Sequence, residues 1–394
     1  MNYILAIFIF TIGSHYSYST TPKEDILKEL QTLYPHLSST QLNEKIKTSS
    51  NVFKFFRSFV PYFYKTAKDL QIGKDSQDPL NSISHEMGWC VGDAHLENFG
   101  SVVDQKNFIE FRANDIDDSA RCPLFLDLLR FLVSYTLIDE KFDESFLNDV
   151  LESYKNGLNA KEYKFSKVTL ELLNEAGDKK LEAPKHMLEE DDRLYRTSPD
   201  QEVDLELRNQ ILAIIENSLG EKLEFVDIIK YVPSSGGSSH LLRYRILVKF
   251  PSNSNLLPEN APKQQLLELK TLAIPGVFPV LEGELPKSSD RIKESLTLIR
   301  GAQASPILRV LEINQCEMLL RPRWAAEINV EIKGLSKDEY KNLLMDEAYT
   351  LGSIHALSAS TQYKAEASKS QASSWLKAQL KLREKLIQSY TLLK

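Results

Sequence analysis

Two short polar runs constrain this chain more than anything else in it. The first, Gly92 to Gly100 (GDAHLENFG), packs two carboxylates, a histidine and an amide between two glycines. The second, Asn114-Asp115-Ile116-Asp117-Asp118, follows shortly. Apolar, strand-like residues precede both, Met87 to Val91 and Phe108 to Phe111. The fold must therefore bring acidic and amide groups together at the ends of neighbouring strands. Such groups suit the binding of a hard cation and the handling of a proton.

The chain has 394 residues, enough for two domains or one two-lobed domain with a cleft. It is 42% hydrophobic and 26% charged, so it can bury a sizeable core. The net charge is −7 with no strongly basic stretch, and nucleic acid is not an expected partner. Residues 1–19 stand apart. Ile4 to Ile12 is almost wholly apolar, and Ser17 and Ser19 fit the small positions of a cleavage site. That reads as a signal peptide, although the only positive charge before it is the amino terminus. An uncleaved membrane anchor and a buried N-terminal segment are the alternatives. Membrane contact is expected only through this segment if uncleaved. The expected location is secreted or periplasmic, with the cytoplasm as the alternative. No other run is apolar enough to span a bilayer.

The three cysteines, Cys90, Cys122 and Cys316, form no C-x-x-C pair, so no zinc site is indicated. Cys90 and Cys122 flank the two acidic runs and can pair in an oxidising compartment. Buried free thiols are the plainer expectation.

Residues 23–72 look helical, with Pro35 ending the first helix. Asn51 to Leu70 carries an aromatic-rich face and Arg57, a surface residue or a phosphate or carboxylate partner. Pro123 to Glu140 is a strongly apolar helix in which Asp127 and Arg130 share a face and need partners. Glu175 to Asp204 is charged and expected exposed. The texture changes at about residue 223. Phe225 to Tyr231 and Leu241 to Phe250 read as strands around the glycine-serine loop Pro233 to Ser239. Gln265 to Leu272 is a further strand containing Lys270, and Arg291 to Ile299 a helix bearing Glu294. Two more strands and a helix over Ser336 to Leu357 follow, then a final amphipathic helix.

Moving a phosphoryl group needs a base or orienter for the acceptor, oxygen ligands for magnesium, a cation on the phosphates and a backbone that approaches them. Asp93 and Asn98 are spaced D-x-x-x-x-N, and Asp115 lies 22 residues after Asp93. That is the spacing of a kinase catalytic loop and its metal-binding aspartate. The loop around Gly236, Gly237 and Ser238, then Lys270 and Glu294, match a phosphate-covering loop, a phosphate-contacting lysine and its glutamate partner. Each piece alone has a plain structural reading: a turn, a solvated lysine, a surface glutamate, a histidine (His95) that shapes its loop, and aspartates (Asp117, Asp118) that cap the next helix.

GDAHLENFG, NDIDDS and Pro123…Leu126-Asp127-Leu128…Arg130 together resemble a bacterial family of unknown function with a kinase-like fold. Its motifs run GDxHxxNFG, NDFDE and P…WDLKRL. They are also similar to the HGDxHxxN loop of aminoglycoside and choline phosphotransferases. The resemblance covers most of the chain after residue 50, including Phe53 to Arg57, Ser234 to Tyr244, Leu267 to Lys270 and Leu351 to Ala356. It implies that Asp93 is the catalytic base. Asn98 and Asp115 would be metal ligands, with Asp117 a third. Lys270 would contact ATP phosphates and pair with Glu294, and Asp127 would anchor the catalytic loop. The chain departs from the family in having Ser58, Ser235 and His240 in place of glycine, and Leu126 in place of tryptophan.

The expected fold is therefore α+β, a two-lobed protein-kinase-like fold in circularly permuted order. After the leader, a helical lobe (20–222) carries the catalytic loop, a small β-rich lobe (223–335) binds nucleotide, and helices (336–394) return to the first lobe. Lys270 and Asp115 must reach one triphosphate, so they must fold to within about 15 Å of each other. The expected activity is ATP- and Mg2+-dependent phosphoryl transfer to a hydroxyl of a small molecule or protein. ATP is scarce outside the cytoplasm, which sets that activity against export. A catalytically inactive kinase-like binding protein and a metal-dependent phosphoesterase are the alternatives.

Overall fold

The computed structural model describes residues 21–394 except 139–142, 180, 190–192, 199–200, 235, 282, 284, 286, 297–298 and 300–303. The expected leader and Ser235 lie outside the described residues. Among those described, no helix is long and apolar enough to cross a membrane.

Four helices come first among the described residues: α1 (Pro22–Leu33), α2 (Ser39–Thr48), α3 (Val52–Ser58) and α4 (Val60–Asp69). Thr21 and Ser38 start the first two with reciprocal capping boxes to Glu24 and Gln41. The aromatic run expected as one helix breaks at Phe59. Pro61 cannot donate within a helix and fits only the first turn of the next. The aromatic side chains of both pieces are buried together.

Strands β1 (Met87–Cys90), β2 (Phe99–Val103), β3 (Ile109–Ala113) and β4 (Ala120–Pro123) follow. β1 pairs antiparallel with β4, and β2 with β3. The β1–β2 and β3–β4 connections, the two polar runs, therefore lie side by side. The β1–β4 pairing also brings Cys90 and Cys122 into a disulfide, with Cα atoms 5.8 Å apart, in place of the free thiols the sequence suggests. Cys316 is free and exposed.

Helix α5 (Leu124–Thr136) is buried along its whole length. It packs against α4 and against the helices Lys337–Ala356 and Ala372–Leu393 near the end of the chain, and its Tyr135 ring meets Phe146 of α6 (Glu144–Leu158). Next come α7 (Lys167–Asp178) and α8 (Leu205–Leu219), which stops at Gly220 in the left-handed region. Then β5 (Glu224–Tyr231), β6 (Arg243–Lys249), β7 (Gln264–Thr271), α9 (Ser288–Ser295), β8 (Arg309–Ile313) and β9 (Cys316–Pro322) build a five-stranded antiparallel sheet in the order β5-β6-β7-β9-β8. The chain closes with α10 (Lys337–Ala356), α11 (Thr361–Lys369) and α12 (Ala372–Leu393).

Strand alternation gives this sheet two unlike faces. Tyr244, Ile246, Val248, Leu267, Leu269 and Leu320 pack with Ile211 and Ile215 of α8. The register puts Arg243 opposite Lys270, and Arg245 and Arg321 opposite Glu268, so the other face is charged. Part of that second face is covered by Ala183, Met187 and Leu194, which pack on Ile229, Leu247 and Leu266. These three residues, from the stretch expected to be exposed, are buried instead. The result is a mixed α+β fold of helices and small antiparallel sheets.

Candidate functional site

Asp127, fully buried on α5, sets the position of the first polar loop. Its carboxylate accepts from Val91 N–H (2.7 Å) and Gly92 N–H (3.0 Å), and from the Tyr64 hydroxyl (3.2 Å). His355 Nε2 of α10 lies 3.1 Å from the same carboxylate, and its Nδ1 is 2.9 Å from the Tyr154 hydroxyl. Gly92 is required here. Its φ is +83°, and a Cβ would stand 2.0 Å from the Asp118 carbonyl oxygen.

One turn further along α5, Arg130 reaches the loop from below. It is fully buried, donates through Nε to Asp93 Oδ1 (3.1 Å), forms a second bond to it through Nη2, and also donates to Phe56 O (3.2 Å). Its guanidinium stacks 4.0 Å from the Phe56 ring centroid. Burial works against charge on Asp93, but Arg130 and His95 outweigh it and hold the carboxyl well below the usual range. His95 Nδ1 accepts from Glu97 N–H (3.1 Å), which leaves Nε2 to face Asp93 at 3.5 Å. Burial, the larger influence, lowers the His95 pKa, with Asp93 opposing. Asp93 is thus a fixed, ionised acceptor 18% exposed at the pocket floor.

Asn98 ties the two polar runs together. Its Nδ2 donates to Asp93 O (2.9 Å) and Asp115 O (3.3 Å), and its Oδ1 accepts from Asp115 N–H (3.0 Å). Asp115 receives Lys270 Nζ at 3.0 Å, across 155 residues of sequence. The same ammonium contacts Asp117 Oδ2, while Asp117 Oδ1 is buried with no hydrogen-bond partner among the described residues. Partial burial opposes charge on Asp115, but Lys270 and Arg321 hold its pKa well down. Burial and the Asp115 charge push Asp117 up. Asp118 accepts from Gly276 N–H (2.6 Å), and burial together with Asp93 raises its pKa to about 7. Neither Asp117 nor Asp118 caps a helix, because β4 comes between them and α5.

Lys270 sits on the charged face of β7. Behind it Glu268 binds Arg321 through Nε (2.9 Å) and Nη2 (2.6 Å) and the Tyr231 hydroxyl (2.6 Å). Lys270 does not pair with Glu294. The turn of α9 puts Arg291, Ile292 and Ser295 inward and leaves Glu294 exposed. From that helix it is Arg291 that reaches the site, donating to Asp117 O (2.7 Å) and Ser119 O (2.5 Å).

Gly236, Gly237 and Ser238, at the β5–β6 hairpin, line the same pocket as Asp93, Asn98, Asp115, Asp117 and Lys270. The pocket is about 240 Å³, with Arg57 and Glu97 ion-paired in its wall. Every site residue named from sequence therefore meets here except Glu294. Among the described residues, no set of three or more His, Cys, Asp or Glu side chains is arranged to hold a metal ion. A hard cation would draw on Asn98, Asp115 and Asp117 together, and the partnerless oxygen of Asp117 fits that donor set.

Residues 44–198 match one family model. It describes an "Uncharacterized protein conserved in bacteria (DUF2252)". The match spans both polar runs, the disulfide and α5, and ends before the five-stranded sheet. Comparisons with curated proteins and with solved structures give no match.

Sequence reading alone left out Lys45, Arg291 and the use of Asp118. Lys45 carries a signal in retrospect: with Leu42 and Ile46 it occupies the apolar stripe of α2. Arg130 is signalled as a charge in an apolar helix that has to find a partner.

Proposed function

We propose that this chain is a kinase-like phosphotransferase in circularly permuted order. It would move the γ-phosphoryl group of ATP, with Mg2+, to a hydroxyl of a small molecule or protein. The observation that carries the reading is the meeting of Lys270 with Asp115 at 3.0 Å, well inside the span of one triphosphate. Two features support it. The glycine hairpin joins the first two strands of the sheet and Lys270 is on the third, as in kinases, where the lysine lies on β3. Helix α10, bearing the LGSIHA run, packs its histidine on the anchor of the Asp93 loop.

In this reading Asp93 receives the acceptor hydroxyl. Held low by Arg130, it is a weak proton sink and a good orienting acceptor, which suits a reaction driven by positioning. Asn98, Asp115 and Asp117 would hold Mg2+, which would supply positive charge to offset that of the phosphates. Lys270 then shifts its charge from the two carboxylates to the phosphates. Tyr34, Val60 and Pro61 add an apolar part to the lining of the same pocket.

The second reading is a kinase-like binding protein without turnover. Lys270 lying against both Asp115 and Asp117, with Glu294 turned away, is the observation that favours it. Thermal melting with ATP tests nucleotide binding. At one hundred times Kd it should stabilise the protein by about 2.7 kcal/mol, only with magnesium present. No shift under either condition removes both readings.

A further inference from the structure

Lys45 is 1% exposed on α2 and does not line the pocket, yet it is bound to the hairpin that does. Its ammonium donates to Gly236 O (2.8 Å), Gly237 O (2.8 Å) and Ser239 Oγ (2.9 Å), which uses all three protons. The Tyr34 and Phe59 rings flank it at 5.5 and 5.6 Å. A trans peptide points its carbonyl and its N–H in opposite directions. With the carbonyls of Gly236 and Gly237 drawn toward Lys45, the N–H groups of Gly237 and Ser238 face away from it. Neither N–H has a hydrogen bond among the described residues, while the next three amides, of Ser239, His240 and Leu241, close the turn internally. Successive free amides of this kind form an anion-binding concavity.

We propose that Lys45 is a positioning residue that pulls the hairpin carbonyls back, turning the amides of Gly237 and Ser238 into the pocket as a seat for a phosphoryl oxygen. The phosphotransferase reading supplies only the identity of the anion; the seat itself follows from the hairpin. Burial lowers the Lys45 pKa to about 7, against the raising effect of Asp118 and Asp93. His36, whose own pKa burial lowers with Lys45 and His240 adding to it, completes the charged surroundings. Deprotonated, Lys45 has two protons for three acceptors and releases one carbonyl. The seat therefore weakens as pH rises through about 7.

The test is titration of the whole chain, labelled with 15N-glycine, with inorganic tripolyphosphate. The sequence has 15 glycines, few enough to resolve the Gly237 amide. Wild type should show a Gly237 shift on binding. Lys45→Met should lose that shift and bind about tenfold or more weakly, and Ser239→Ala should fall between. A folded Lys45→Met chain that binds within about twofold of wild type overturns the proposal. If Lys45→Met does not fold, wild type is compared with Lys45→Arg, whose guanidinium stays charged, from about pH 6 to about pH 8.5. Wild type should lose affinity more steeply as pH rises, and parallel profiles overturn the proposal. Tripolyphosphate binding through Lys45 without ATP turnover leaves the seat standing and removes the phosphotransferase reading. Turnover with a KM indifferent to Lys45 does the reverse.

Discussion

His355 Nε2 lies 3.1 Å from Asp127 Oδ2, joining α10 to α5 across 228 residues, with both side chains fully buried. Asp127 holds the two amides that shape the Asp93 loop, so this pair fixes the loop to the core from below. Asp127→Ala leaves Val91 N–H, Gly92 N–H and His355 without their acceptor. The expected loss is about 3–5 kcal/mol, read as a lower urea midpoint at unchanged slope. His355→Ala should cost less, since the two amide bonds remain.

Gly92→Ala should be as damaging as a core truncation. Alanine in the left-handed region costs about 1–2 kcal/mol. The added Cβ also meets the Asp118 carbonyl oxygen at 2.0 Å, so the two polar loops must part. Thermal melting checks this, and a melting temperature equal to wild type would contradict the side-by-side placement of the loops.

The disulfide predicts a thiol count. Native protein should expose one reactive thiol, Cys316, and the reduced, unfolded chain three. Closing a loop of 32 residues is worth about 3–4 kcal/mol in the chain-entropy model, so a reductant should lower the melting temperature. Three thiols in unreduced, denatured protein would contradict the bond.

Glu347 on α10 is fully buried, and both its carboxyl oxygens lack a hydrogen-bond partner among the described residues. Burial first, then Asp346 and Glu97, push its pKa well above the ordinary value. The folded state then keeps a proton that the unfolded state gives up. The neutral form's contribution is complete below the unfolded pKa of about 4.5 and shrinks as pH rises toward the folded value. Glu347→Gln should therefore stabilise the protein at neutral pH, and the gain should fade on acidification to about pH 4. Equal gains at both pH values would contradict the burial of this carboxyl.

What the sequence made legible is mostly local. The alternation of Leu241 to Phe250 puts Arg243 and Arg245 on one face and Tyr244 and Ile246 on the other, as β6 shows. The order of strands and turns placed the hairpin and Lys270 in one sheet, and the spacing of Asp93 and Asn98 placed both in one loop. The break at Phe59 was missed because an aromatic helical stripe runs on across Pro61. Lys45 and Arg291 were missed because their partners lie 191 and 174 residues away, where no periodicity reaches. The pairing of Lys270 with Glu294 failed for a related reason: the register of a short helix decides which of its residues turns inward.

The central claim is that Asp93, Asp115 and Lys270 form one phosphotransfer site. The most direct measurement is ATP turnover with magnesium, wild type beside Asp93→Ala, Asp115→Ala and Lys270→Ala, each shown by melting to be folded. Wild type should turn over ATP, and each variant should fall by about 10²-fold or more. Equal rates in all four chains, including no turnover in any, would contradict it.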